Sequence, residues 1–209
     1  MSHAMPKSRL EGFSDCIIAF AVTLLIYDFH LQNVDADINN PGMIRALLAL
    51  APHFFIYVIS FLSCTVWWMG HQLLIHDLDR VDSRLVWLNS MFLMWIAILP
   101  FPTGLLGQHP KQPVAIALYG SVCTIACLFF MVMRWYASFR GGLMKKEVSE
   151  VKLRREWRVS RRFLFLYLAA TVVGFYYPVL GLVSYAALPA SYTALRLFKR
   201  NEKAIHAGT

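Results

Sequence analysis

Charge is scarce in this sequence. Only 15% of its 209 residues are charged and 58% are hydrophobic, against about 25% charged in ordinary soluble domains. A soluble domain of that composition would expose adhesive apolar surface or need a larger core than its length allows. A bilayer removes the conflict, because lipid solvates apolar side chains. Acidic residues are the rarer sign, 12 Asp and Glu against 20 Lys and Arg. The basic residues sit in loops between apolar runs, without an RNA-binding or helix-turn-helix signature, which argues against nucleic acid. Cysteine is sparse. Cys16, Cys64, Cys123 and Cys127 all lie inside apolar runs, no pair has zinc-finger spacing, and no structural disulfide is expected. There is no nucleotide loop, nucleophile–base pair or His-Glu-x-x-His motif to support an enzyme or a metal cofactor. Nor does the start read as a cleavable signal peptide: its first apolar run holds Asp15 near the beginning and lacks a small-residue cleavage site. Met1 to Ala4 read as a cloning remnant ahead of Met5.

What the chain has in abundance is long apolar runs. A spanning helix needs roughly 20 mainly apolar residues, and six stretches approach that length. They run from Glu11 to Phe29, Ile44 to Trp68 (extending to Leu74), Leu85 to Leu106, Val114 to Trp135, Arg162 to Phe175, and Pro178 to Leu197. Pro100 and Pro102 are expected to break the third. Tyr176, Tyr177 and Pro178 mark the break between the last two, for which one long re-entrant segment is the alternative. The division is a tail over residues 1–8, one six-helix transmembrane domain over 9–200, and a tail over 201–209.

Loop charge sets the orientation. Arg134 to Arg162 holds ten Lys/Arg and three Glu; the C-terminal tail has Arg196, Lys199, Arg200 and Lys203, and the N-terminus Lys7 and Arg9. Six spans put all three regions on one side, cytoplasmic by the positive-inside rule. Asp28, Asp35 and Asp37 then fall opposite. The basic stretch over 140–162, with Gly141-Gly142 and a polar helix-like run from Lys145 to Arg161, reads either as an amphipathic or solvated connector touching anionic lipid headgroups or as a plain solvated loop.

The first run carries the unusual chemistry. Arg9, Phe13 and Ser14 lie about one helical turn apart, and Asp15 follows at the embedded start of the helix. A carboxylate there wants a partner, because at the bilayer centre it costs roughly 2.5–3.5 kcal/mol. An intramembrane Arg or His is the expected donor, and the alternative is an ordinary helix start capped by Ser14 or Asp15. Farther along, Phe20, Thr23, Leu24 and Tyr27 share a face by i, i+3, i+4, i+7 spacing. That face either packs, with Thr23 bonded to its own backbone, or lines a pore as stacked apolar rings that gate by dewetting. His71 and Asn89 read as interhelical hydrogen-bonding groups, at the same depth as Arg9 and Asp15.

These segments resemble a known family. Arg9-x-x-x-Phe13-Ser14-Asp15 is similar to the first-helix signature of the transmembrane protein 175 family of endosomal and lysosomal potassium channels and their prokaryotic relatives. Ala21-Val22-Thr23-Leu24-Leu25, Ser60-Phe61 with Trp68 and His71, Trp87-Leu88-Asn89 and Leu99-Pro100-Phe101 follow in order. The resemblance implies an all-α membrane protein with six transmembrane helices per chain. It implies a homotetramer whose central pore is lined by the first helix, and no Thr-Val-Gly-Tyr-Gly filter, which the sequence indeed lacks. Phe20, Thr23, Leu24 and Tyr27 would be the pore constriction, and Arg9, Ser14 and Asp15 would join His71 and Asn89 in a polar network holding the first helix. Phe20 and Tyr27 stand where the family usually has Ile or Leu, and Cys16 where it usually has Gly.

The function so implied is a potassium-permeable cation channel of the inner (plasma) membrane, with passive K+ flux, no cofactor, itself and the bilayer as partners, and both termini cytoplasmic. The alternatives are a proton-conducting pathway through His71, Asp15 and Asp28, and a non-conducting membrane protein sealed by its aromatic rings.

Overall fold

The computed structural model describes residues 6–27 and 40–207, with side chains of 42–193 in the second stretch. Asp28, Asp35 and Asp37, and the side chains of the C-terminal basic cluster, lie outside the described residues. Eight α-helices form the described chain: α1 Lys7–Leu24, α2 Asn40–Ala49, α3 Ala51–Asp77, α4 Ser83–Ile98, α5 Pro100–Gln108, α6 Pro113–Trp135, α7 Glu150–Tyr176 and α8 Pro178–Ala207. A π-helical turn, Tyr136–Arg140, closes α6.

Among the described residues four segments are long and apolar enough to cross a membrane: Gly42–Asp77, Ser83–Gln108, Pro113–Arg140 and Glu150–Tyr176. The α1 helix is outside that set, with Lys7, Arg9, Glu11 and Asp15 among its 18 residues. It also begins a full two turns before Ser14, at Pro6, so neither Ser14 nor Asp15 caps it.

Pro100 and Pro102 break the third run, as expected, at Leu99, and the chain resumes as α5 to Gln108, two residues past the expected end at Leu106. Ile96 O, which Pro100 cannot serve, accepts from Leu99 N (3.2 Å), and Leu99 O accepts from both Thr103 N (3.1 Å) and Thr103 Oγ1 (2.8 Å). Prolines at the start of α5 therefore leave little of the backbone unpaired. The fifth run starts earlier than its apolar part, at Glu150, after an N-cap in which Ser149 Oγ accepts from Lys152 N. The break before Pro178 falls where it was expected, at Tyr177.

In the packing, α1 lies chiefly on α4 and also meets α3 and α5, while α6 joins α4 to α7, and α7 and α3 both meet α8. Gly174 and Gly181 face each other where α7 and α8 cross, and a Cβ on either would run into the other's backbone; small residues are what allow membrane helices to approach this closely. Aromatic rings fill the centre: Phe92 lies 5.3 Å from Phe130, and Tyr119 5.1 Å from Tyr185. Several buried hydroxyls pair across helices, where no water is at hand to serve them. Ser60 Oγ sits 3.1 Å from Tyr119 Oη and 3.0 Å from Thr103 Oγ1, and Tyr167 Oη donates to Ser63 Oγ at 3.1 Å.

One end of the bundle gathers the basic segments. Lys7 Nζ donates to His76 O (3.1 Å) and Leu78 O (3.3 Å), closing the C-terminus of α3. The connector after α6 turns at Gly142, whose φ of +57° suits glycine. It then pairs with the α3–α4 elbow through Asp79 N to Leu143 O (2.8 Å) and Lys145 N to Asp77 O (3.0 Å). Lys152 Nζ reaches the Asp77 carboxylate at 2.7 Å. The later part of α8 returns to the same end, where Tyr192 meets Phe163 edge to face at 5.5 Å.

Candidate ion-conduction site

The α1 helix is two-faced. Leu10, Ser14, Ile18, Ala21 and Leu25, spaced by fours and threes, are buried against the bundle. Phe13, Cys16, Phe20, Thr23 and Tyr27, spaced by threes and fours, are exposed. Phe20 is 64% and Tyr27 74% exposed, large fractions for rings this size.

The buried face is pinned by a directional chain of hydrogen bonds. Asn89 and Ser14 are fully buried. Asn89 Nδ2 donates to Ser14 Oγ at 2.9 Å, and Ser14 Oγ donates to Leu10 O at 2.8 Å. Asn89 Oδ1 lies 2.8 Å from His71 Nε2. An amide oxygen only accepts, so Nε2 carries the proton. His71 Nδ1 has no hydrogen-bond partner among the described residues. The ring stacks on Phe92 at 6.0 Å.

Asp15 is served differently from expectation. Its Oδ1 accepts from Trp68 Nε1 (2.8 Å) and Gln72 Nε2 (2.6 Å), not from an Arg or a His. Two neutral N–H donors give charge-assisted bonds without bringing a second ion out of water. Trp68 and Gln72 are one turn apart on α3, so one face supplies both. That i, i+4 spacing shows in sequence that the two share a face, but not that the face meets α1. Asp15 also borders an open groove of about 360 Å³ between α1 and α3, with Cys64, Thr65 and Trp68 on its far wall. Arg9, by contrast, is exposed and does not join these bonds.

On the outer face, Thr23 Oγ1 donates to Phe20 O at 2.8 Å. Its one hydrogen is thereby used on the backbone, and only oxygen lone pairs face outward. An acceptor-only oxygen is what a cation shedding water would meet; an anion would find no donor there. Leu24 stands to one side. It is half-buried and borders a groove of about 410 Å³ with Tyr27 and the α5 residues Pro100, Phe101, Gly104 and Gln108. Phe13 and Cys16 extend the exposed face by two positions that the spacing of 20, 23, 24 and 27 alone did not include. At the pinned end, burial and the neighbouring Lys145 ammonium hold Lys7 below the usual lysine pKa, partly offset by Glu11 and Asp77. Among the described residues no group of three or more His, Cys, Asp or Glu could hold a metal ion.

A family model described as endosomal/lysosomal potassium channel TMEM175 matches residues 9–100. A protein of Streptomyces collinus named as a potassium channel is 34% identical over 147 residues, covering 68% of this chain and 70% of that protein. The mouse endosomal/lysosomal proton channel TMEM175 is 30% identical over 118 residues, 56% of this chain and 23% of that protein. Among solved structures, the crystal structure of a lysosomal potassium-selective channel TMEM175 homolog from Chamaesiphon minutus matches with a TM-score of 0.79 at 26% identity, covering 91% of this chain and 97% of that one.

Proposed function

This protein belongs to the endosomal/lysosomal potassium channel family TMEM175, and from that premise we propose that it is a potassium-permeable cation channel of the cell's inner membrane. In this reading four copies surround an axis, each crosses the bilayer six times, and ions pass down their gradient between the outer faces of four α1 helices. Phe20, Thr23 and Tyr27 form the constriction, with Leu24 at its flank. Selectivity comes from partial dehydration at the aromatic rings, with the Thr23 oxygens as stand-in ligands.

The observation that carries this reading is the two-faced α1. Its inner side is tied to α3 and α4 by polar bonds, and its outer side is a stripe of exposed rings around an acceptor-only hydroxyl. A helix with four charged residues in its first half is poorly suited to face hydrocarbon, so an assembly that places it on an aqueous axis accommodates both sides. The positive-inside rule puts the end bearing Lys7, the connector and the start of α7 in the cytoplasm.

The test is flux into liposomes containing the purified protein, read with a proton-sensitive dye and a potassium ionophore as control. Potassium-dependent flux that slows when external potassium is replaced by sodium supports the channel. Current that follows a pH gradient without potassium supports the second reading, a proton pathway, for which the half-buried Asp15 beside its groove is the favouring feature. No flux from folded, assembled protein would mean that the aromatic constriction is sealed, and the channel reading would fall.

A further inference from the structure

Far from α1, the junction of α6 and α7 holds a second group of residues that conduction does not use. The π-helical turn leaves Trp135 and Phe139 exposed at the end of α6. Opposite them, the first turns of α7 present Arg154 and Arg158. Together with Trp157 these five residues line an open groove of about 390 Å³. Phe139 meets Trp157 edge to face at 6.2 Å. At the rim, the Arg161 guanidinium lies 4.8 Å over the Trp157 ring and that of Arg140 lies 5.8 Å over Trp135. The acids nearby do not cancel this charge. Glu156 is buried and paired with Arg155 at 3.1 Å. Glu150 reaches Arg154 only at 3.4 Å, with both side chains largely exposed, an arrangement worth little in water.

The outer face of α7 shows what such a groove would hold. Arg154, Arg158, Arg161, Phe165, Leu168 and Val172 follow one another by fours and threes, all exposed. One continuous stripe is therefore basic over its first half and apolar over its second. The change of character falls within a turn of the groove, where the apolar span gives way to charge and indole rings prefer to sit. Since α7 packs on α6 and α8, and α1 packs elsewhere, the stripe looks outward from the proposed axis.

A stripe with an anionic-headgroup half and an acyl-chain half matches an amphiphile and not a free anion. We propose that this groove is a binding site for an anionic phospholipid of the cytoplasmic leaflet. Arg154 and Arg158 hold the phosphate, the Trp135, Phe139 and Trp157 rings seat the glycerol region, and the chains lie along Phe165, Leu168 and Val172. This rests on the reading of the basic end as cytoplasmic.

Native mass spectrometry of the full-length protein, offered equal amounts of phosphatidylglycerol and phosphatidylcholine, tests it. The wild type is expected to retain phosphatidylglycerol preferentially. The R154Q/R158Q variant should lose about fivefold of that preference per arginine, roughly twenty-five-fold in all. K145Q/K146Q removes the same charge elsewhere on the connector and should stay close to wild type. Should the double variant not fold, R154Q and R158Q singly give the same reading at a fivefold scale. Equal loss from both double variants would mean diffuse attraction and overturn the site. Displacement by glycerol phosphate as readily as by intact lipid would assign the groove to a soluble phosphate and also overturn it. Potassium flux in pure phosphatidylcholine liposomes, measured on the same variants, reports on the channel reading separately.

Discussion

Replacing Asn89 by leucine keeps the branched four-atom shape at the α1–α4 contact and removes the middle of the Ser14–Asn89–His71 chain. The buried His71 Nε2–H then loses its acceptor, at about 1–3 kcal/mol. Ser14 loses a donor but still gives its own hydrogen to Leu10 O, so its share is smaller, about 0.5–1.5 kcal/mol. Together N89L should cost about 3 kcal/mol. H71F strands the Asn89 carbonyl oxygen while keeping a ring over Phe92, and should cost about 2 kcal/mol. The double variant leaves neither orphan. Coupling between such groups in membrane proteins reaches about 1.7 kcal/mol, and both are fully buried here. The double variant should therefore fall about 1.5 kcal/mol short of the sum of the singles. Reversible unfolding in mixed detergent micelles supplies the three free energies. Additivity within about 0.5 kcal/mol would show that the 2.8 Å contact between Asn89 and His71 carries no energy of its own, and the account of how α1 is pinned would fail.

Three further outcomes follow from the same geometry. Cys16 is exposed on the outer face of α1 while Cys64, Cys123 and Cys127 are buried, so a cationic thiol reagent should block most of the flux in the unmodified protein and spare C16S; equal sensitivity in both would take that face out of the ion path. T23A should change the potassium-to-sodium permeability ratio and F20L should raise flux severalfold, each moving stability by no more than about 0.5 kcal/mol because both sites are exposed; an unchanged ratio and rate would remove them from the constriction. The Asp77 side chain is 8% exposed against 38% for Lys152, so K152M strands the more buried charge and should destabilise by about 2 kcal/mol more than D77N/K152M, read from the same unfolding curves; equal costs would mean that the pair is not desolvated.

The sequence makes some features of this bundle visible and hides others for physical reasons. The fourth run was legible almost to the residue, Val114 to Trp135 against an observed Pro113–Trp135, because Pro113 opens it and apolar content fills it. The break at Tyr177 was legible from Pro178. The first half of α7 was legible only as a polar helix-like run, Lys145 to Arg161, and not as one helix with the apolar run after it, because hydropathy sees only the apolar half. The signal that did exist was local, Ser149 followed by Glu150 at a helix start. Pro100 and Pro102 marked the break at Leu99, but a proline removes one donor and says nothing of what replaces it; Thr103 and Leu99 do so here. His71 and Asn89 could be placed at the depth of Arg9 and Asp15 from topology. The donors to Asp15 could not, since which α3 side chain faces α1 is settled by helix rotation, which packing decides and periodicity in a uniformly apolar run does not record.

The anchors of α1 also have a mechanical meaning. Lys7, Ser14 and Asp15, its polar ties to neighbouring helices, all fall in the first half; from Ile18 onward its buried side is apolar, Ile18, Ala21 and Leu25. Apolar contact resists separation but not sliding, so the helix is a cantilever clamped at its basic end. At 1.5 Å per residue, Tyr27 stands about 18 Å beyond the clamp at Asp15 and Phe13 about 3 Å from it. A tilt of about 10° would carry Tyr27 through about 3 Å and Phe13 through about 0.5 Å by the same arithmetic. In the proposed pore, width that changes with such a tilt would change at the Tyr27 end, while the passage beside Phe13 would keep its diameter.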